Sequence, residues 1–151
     1  MLTTGRLYAH WHTLTRTAKA EKLVRREPGP FIEINTKDAR ALELDEGDQV
    51  QVSSRRGTVR LPARLRDRLP AGMVFVPFHW GDLYSDGNAA NYLTISAIGR
   101  VAKQPELKFC AVAVEKVPCV GNPKSHMPKS QTNSNGQLSK SKPVGVTVSI
   151  I

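Results

Sequence analysis

Cysteine is nearly missing from this chain: only Cys110 and Cys119 occur among its 151 residues. Two thiols cannot supply the four ligands of an iron–sulfur cluster or of a structural zinc site. They could close one disulfide, but nothing in the sequence asks for it, and a reducing cytosol is the simpler expectation. Aromatic residues are scarce as well, at 6% of the chain. The core is therefore expected to be mainly aliphatic, and a base-stacking platform for single-stranded nucleic acid is disfavoured. No apolar run is long enough to cross a bilayer, so no membrane partner is expected. No basic segment followed by an apolar run marks a secretory leader. Met1 and Leu2 run straight into what reads as a strand, an abrupt start that suggests a piece excised from a longer protein.

Acid is absent from both ends. All 13 acidic residues precede Pro118, and Pro118 to Ile151 carries Lys124, Lys129, Lys140 and Lys142. Setting those four lysines aside lowers the net charge from +9 to +5 for residues 1–117. The stretch from Pro118 to Pro143 is rich in Ser, Asn, Pro, Lys, Gly and Gln. It cannot bury enough apolar surface to offset its ordering entropy, so it is expected to be disordered. Val144 to Ile151 is apolar and alternating. The expected organisation is thus one domain over 1–117 and a basic tail with a short apolar end over 118–151. The charge suits anionic partners, with nucleic acid as the generic candidate.

The other acid-free stretch is the first seventeen residues. Thr4-Gly5-Arg6 and His10-Trp11-His12-Thr13-Leu14-Thr15-Arg16-Thr17 bring together two arginines, two histidines, a tryptophan and four threonines. Arginine binds phosphate bidentately, hydroxyls fill the remaining acceptor sites, and glycine admits close approach of the backbone. An anionic ligand that accepts many hydrogen bonds fits this chemistry. His10 and His12 are two apart and share a face of an extended chain. With His79 they offer at most a weak zinc set, and hydrogen bonding to a ligand is the better reading, so no metal site is assigned. Arg55 and Arg56 read as a solvated pair in a turn, and Asp82 and Asp86 as a solvated loop. No serine or cysteine nucleophile arrangement is recognisable.

Periodicity and turn residues predict short strands at Leu2–Thr4, Phe31–Ile34, Gln49–Ser53, Thr58–Leu61, Met73–Pro77 and Lys108–Val117. In the last of these, Cys110, Val112 and Val114 share one face. Helices are predicted over Ala18–Arg26 and over Thr36–Leu42, the second capped by Asn35 or Thr36. Phe78 to Asn91 reads as a polar loop. The pattern is mainly β with short helices, in a compact barrel.

These features stand in a familiar order. After the two amino-terminal blocks come Phe31-Ile32-Glu33-Ile34 with Asp38-Ala39, Glu46-Gly47-Asp48, and Ser53-Ser54-Arg55-Arg56-Gly57. They are followed by Gly72-Met73-Val74-Phe75-Val76-Pro77-Phe78-His79, Asn91-Tyr92-Leu93-Thr94, Lys103-Gln104-Pro105-Glu106-Leu107-Lys108 and Cys110-Ala111-Val112. Together they resemble the C-terminal molybdopterin-dinucleotide-binding domain of the dimethyl sulfoxide reductase superfamily, over about residues 2–117. The variants His-Trp-His-Thr, Pro-Phe-His-Trp-Gly and Lys-Gln-Pro-Glu-Leu-Lys look most like assimilatory nitrate reductases of bacteria and cyanobacteria.

The resemblance implies a six-stranded double-psi β-barrel and a bis-molybdopterin guanine dinucleotide carrying molybdenum. It implies cofactor contacts at Thr4, Gly5, Arg6, His10, Trp11, His12, Thr13, Thr15, Asn91 and Lys108, and places Phe78 near a substrate funnel. It also implies a larger cytoplasmic enzyme that reduces nitrate to nitrite. Its other domains would supply the [4Fe-4S] cluster and the ligand to molybdenum, and a ferredoxin or flavoprotein would supply electrons. No catalytic residue is expected in this chain. The same domain in a formate dehydrogenase is the alternative, and a small basic nucleic-acid-binding barrel is a more distant one. One departure stands out. Leu14 occupies a position that is glycine in many relatives, and leucine disfavours positive φ, so the loop is expected to bend differently here.

Overall fold

The computed structural model describes residues 1–118. Six strands form one mixed sheet in the order β1-β5-β2-β4-β3-β6. In chain order these are β1 (Leu2–Gly5), β2 (Ile32–Ile34), β3 (Gln49–Ser53), β4 (Thr58–Leu65), β5 (Val74–Pro77) and β6 (Ala113–Lys116). Three short helices, α1 (Glu21–Arg26), α2 (Thr36–Ala41) and α3 (Asp82–Ser85), and a 3₁₀ turn at Ala90–Tyr92 complete it. The expected disordered basic tail and its apolar end lie outside the described residues.

β1 runs parallel to β5, and β2 parallel to β4, while the β2–β5, β3–β4 and β3–β6 pairs are antiparallel. The sheet curls. Leu2 bridges Cys110, just ahead of β6, so a single segment touches β1 at one end of the strand order and β3 near the other. The pairings establish a mainly β, curled six-stranded sheet with short helices.

Alternation decides most of the core. Val50 and Val52 on β3, Val59, Leu61 and Ala63 on β4, and Cys110, Val112 and Val114 before and within β6 all point inward with Leu2, Ile32, Ile34, Val74 and Val76. β2 breaks the alternation because it is buried on both faces, including Glu33. A buried carboxylate needs a partner, and the Arg68 guanidinium bonds to it. Of the two expected caps of α2, Asn35 serves: its Oδ1 accepts from Lys37 N at 2.8 Å, and its Nδ2 donates to Leu69 O at 2.6 Å.

Several element boundaries differ from expectation. The last strand, expected over Lys108–Val117, is continuous only over Ala113–Lys116, and ahead of it Cys110 makes a single bridge to Leu2. α1 begins at Glu21 and not at Ala18, because Ala18 N already donates to Leu14 O and Ala20 N to Thr17 O in the preceding turns. β4 continues through Pro62 to Leu65. Proline lacks the N–H that a ladder uses, but Pro62 stands where β4 ends its pairing with β3 and Ala63 begins pairing with β2. The Phe78–Asn91 loop contains α3, which ends with Asp86 in the left-handed region at φ 46°.

Candidate functional site

Parallel pairing of β1 and β5 sends both following loops out from the same edge of the sheet. Gly5 is in register with Pro77, and Phe78 N donates to Gly5 O at 3.2 Å. The donor-rich segment after Gly5 and the Phe78-His79-Trp80 segment therefore leave side by side. Gly5 lets the two strands' side chains lie close: a Cβ there would sit 2.8 Å from a ring carbon of Phe75, which would have to turn.

Of the residues expected to meet a ligand, Arg6, Trp11, His12, Thr13 and Thr15 are exposed. The guanidinium groups of Arg6 and Arg16 lie over the Trp11 ring, at 5.5 and 4.7 Å from its centroid. This keeps two cations together around one aromatic ring. The Thr13 and Thr15 hydroxyls are 3.3 Å apart. The His12 ring packs on Phe78 at 4.9 Å between centroids, which joins the expected funnel residue to the loop.

Thr4 and His10 are instead buried. Thr4 Oγ1 donates to Leu107 O. His10 Nε2 donates to Glu27 O at 2.7 Å, while its Nδ1 lies 3.3 Å from Thr17 Oγ1, a hydroxyl that also accepts from Trp11 N. Both His10 ring nitrogens are thus used within the protein.

The premise that leucine would avoid positive φ at position 14 is corrected by the structure. Leu14 adopts φ 62° despite its Cβ, and its side chain is buried. A left-handed residue costs about 1–2 kcal/mol, and burying a leucine returns about 1.5–3 kcal/mol, so burial outweighs strain. Leu14→Ala keeps the strain and loses the packing. It is expected to cost about 2–4 kcal/mol, with Leu14→Gly roughly 1 kcal/mol milder. Urea unfolding of the two variants checks this. Glycine proving worse than alanine would contradict it.

His79, not assigned to a ligand, lies at the centre of this region and is 1% exposed. Its Nε2 accepts from Leu7 N at 2.7 Å, and its Nδ1 donates to Trp11 O at 3.0 Å and His12 O at 3.1 Å. Burial holds its pKa below the ordinary histidine value. The two carbonyls oppose that shift, and His10 and Arg6 add to it. Among the described residues no group of three or more His, Cys, Asp or Glu side chains stands close enough to hold a metal ion.

Lys108 is exposed and follows Leu107, whose carbonyl binds Thr4, two residues from Arg6. It therefore shares the β1 edge with the donor-rich loop. Asn91 is exposed at the 3₁₀ turn and is held from another direction. Arg56, read from the sequence as a solvated charge, donates from Nε and Nη2 to Leu93 O at 3.0 and 2.9 Å. It also bonds to the Cys110 thiol, whose pKa burial pushes up and Arg56 partly restores. Asp82 accepts from the Tyr92 hydroxyl and raises its pKa. No local signal marks Arg56 or His79, since Leu93 lies 37 residues from Arg56 and the three groups on His79 lie 67–72 residues from it.

Residues 1–111 match the family described as the Molydopterin dinucleotide binding domain. This chain belongs to that family. Its ligand is a molybdopterin dinucleotide, and the donor set fits one: an acid-free loop with two exposed arginines and exposed hydroxyls suits a pyrophosphate. The F420-dependent formate dehydrogenase subunit alpha of Methanocaldococcus jannaschii is 44% identical over 117 residues, covering 78% of this chain and 17% of that protein. The nitrate reductase of a Synechocystis species is also 44% identical over 117 residues, covering 78% and 16%. The periplasmic nitrate reductase of Desulfovibrio desulfuricans is 38% identical over 115 residues, covering 76% and 15%. This dinucleotide-binding domain therefore spans about a sixth of the length of these relatives. The solved structure of acetylene hydratase from Pelobacter acetylenicus shares the fold, with a TM-score of 0.66 at 17% identity over 77% of this chain and 18% of that one. Among the described residues no helix is long and apolar enough to cross a membrane.

Proposed function

We propose that this domain holds a bis-molybdopterin guanine dinucleotide within a molybdenum nitrate reductase, and that the curled sheet is a double-psi barrel. The observation that carries the ligand reading is the exposed cluster of Arg6, Trp11 and Arg16 on an acid-free loop that leaves the sheet beside Phe78. The two parallel pairs and the Leu2–Cys110 bridge support the barrel reading. The His-Trp-His-Thr and Pro-Phe-His-Trp-Gly blocks, together with the two nitrate reductase relatives, support nitrate. Formate oxidation is the second reading, favoured by the equal 44% identity to a formate dehydrogenase subunit.

When bound, the cofactor would supply two-electron redox chemistry at molybdenum. The chain's own residues bind and orient. Arg6 and Lys108 place positive charge along the β1 edge, the Thr13 and Thr15 hydroxyls and the His12 ring donate to phosphate or sugar oxygens, and Trp11 offers a flat apolar face. Thr4, Gly5 and His10 act one layer deeper, fixing where the exposed donors stand. Asn91 would bind from the 3₁₀ turn, and Phe78 would border the substrate route. The partners would be the other domains of the same enzyme and an electron donor such as a ferredoxin or flavoprotein, in the cytosol. The chain alone is not expected to turn over nitrate.

Titration with GDP-mannose, a guanine nucleotide whose pyrophosphate is a diester as in the dinucleotide, tests the ligand reading. Binding is expected to shift amide resonances at residues 4–15, Asn91 and Lys108. Arg6→Ala is expected to weaken it about tenfold, near 1.4 kcal/mol, while Arg40→Ala on α2 leaves it unchanged. Equal losses from both variants would indicate generic anion binding. Assaying the intact enzyme with nitrate and with formate separates the two substrates.

A further inference from the structure

Three backbone groups of the donor-rich loop converge on one buried ring. Leu7 N–H points at His79 Nε2, and the carbonyls of Trp11 and His12 point at Nδ1. An N–H donor requires Nε2 to carry a lone pair, and carbonyls require Nδ1 to carry the proton. One tautomer of one protonation state satisfies all three, the neutral Nδ1–H form. The bonds span the loop from its start after Arg6 to the residue before Thr13, so they determine where Arg6, Trp11 and His12 stand relative to one another. His79 is too buried to meet a ligand itself.

We propose that His79 is the positioning residue of the dinucleotide loop: its neutral ring holds the loop in the binding shape, and proton uptake at Nε2 releases it. The inference rests on the ligand reading only for what the loop binds. The loop's coupling to the ring stands apart from it. Protonation would set Nε2–H against Leu7 N–H, two donors 2.7 Å apart. The loop must then swing away or the ring must leave its site. The two cationic or titratable side chains that act on the ring oppose proton uptake: His10 lies 5.8 Å from it between centroids, and Arg6 adds to the effect. The remaining faces are packed by Phe78 and Trp80 from its own segment. His12, whose ring meets Phe78 at a tilt, is the other imidazole on the loop besides His10. The sign is clear. The ring is neutral and the loop held above the ordinary histidine value of 6.5, and the hold is lost as pH falls below it through the depressed value of His79.

The test is ¹⁵N NMR of the chain without ligand from pH 8 to 5, followed by GDP-mannose affinity over the same range. This probe has no proton to gain in that range. At pH 8 the His79 nitrogens are expected to report the Nδ1–H tautomer. The Leu7, Trp11 and His12 amides should shift with the ring's own midpoint, and affinity should fall about tenfold below it. His79→Asn retains a donor near the Nδ1 position, and His79→Gln an acceptor near the Nε2 position. Each is expected to bind several-fold more weakly at pH 8 and to lose the His79 component of the pH profile. An Nε2–H tautomer, loop amides indifferent to the ring's titration, or variants that keep the wild-type affinity and profile would each overturn the proposal. Absence of GDP-mannose binding with the loop titration intact would instead refute the ligand reading alone.

Discussion

Replacing Leu2 with alanine is expected to lower the unfolding free energy by about 3–4 kcal/mol. Leu2 is fully buried in the main core cluster. It also exchanges both backbone hydrogen bonds with Cys110, Leu2 N to Cys110 O at 2.8 Å and Cys110 N to Leu2 O at 3.2 Å, and it is in register with Val74. Neither neighbour can move in to fill the space without breaking sheet pairing, so most of the cavity should persist. A domain of this size has a total stability of about 5–15 kcal/mol, which makes the loss a large fraction of it. Urea denaturation should show a lower midpoint with an unchanged slope. The consequence reaches the candidate site, because β1 delivers Thr4, Gly5 and Arg6 and pairs with the segment that carries Lys108. A loss below 1 kcal/mol would mean that this bridge does not anchor the strand.

The second large effect is expected at the turn between β3 and β4. A Cβ on Gly57 would lie 2.9 Å from the carbonyl oxygen of Tyr92 and 3.4 Å from its Cβ. The obstacle is backbone, which cannot rotate aside as a side-chain tip can. Arg56 next to it grips Leu93 O with two bonds, so the turn and the Asn91–Thr94 stretch must separate together. Gly57→Val is expected to cost about 2–3 kcal/mol by overpacking and to move the amide resonances of Asn91 to Thr94. Gly5→Ala makes a useful contrast. Its Cβ would meet a Phe75 ring carbon at 2.8 Å, and Phe75 is only partly buried and can turn. About 1 kcal/mol is expected there. Thermal unfolding of both variants, with Gly5→Ala the more damaging, would reverse this assignment of rigid and yielding contacts.

The amino-terminal loop was legible as a donor surface because its chemistry is local: arginines, histidines and threonines without an acid can be counted along the chain. Which of them face solvent was not legible. His10 and His12 look equivalent in sequence, yet His10 is buried against Glu27 O while His12 is exposed beside Phe78. The difference arises because the end of α1 brings the Glu27 carbonyl to His10, a contact 17 residues away in the chain. His79 was visible only as a stray imidazole, and Arg56 only as a surface charge. Their roles rest on carbonyl and amide groups brought to them by the parallel β1–β5 pair and by the 3₁₀ turn.

What the sequence determined by itself is whatever depends on neighbours a few residues apart. A polar cap on α2 at Asn35 or Thr36, the alternation of Gln49–Ser53, the inward face of Cys110, Val112 and Val114, and the glycine and proline turns all follow from local geometry and from the period of two along a strand. Tertiary structure alone decided the strand order, the passage of β4 through Pro62, the left-handed Leu14 and the protonation state of His79. In each of these a local preference is overridden by a partner distant in the chain: a second strand taking over the ladder, a core that repays strain with burial, or two carbonyls and an amide that leave an imidazole one acceptable form.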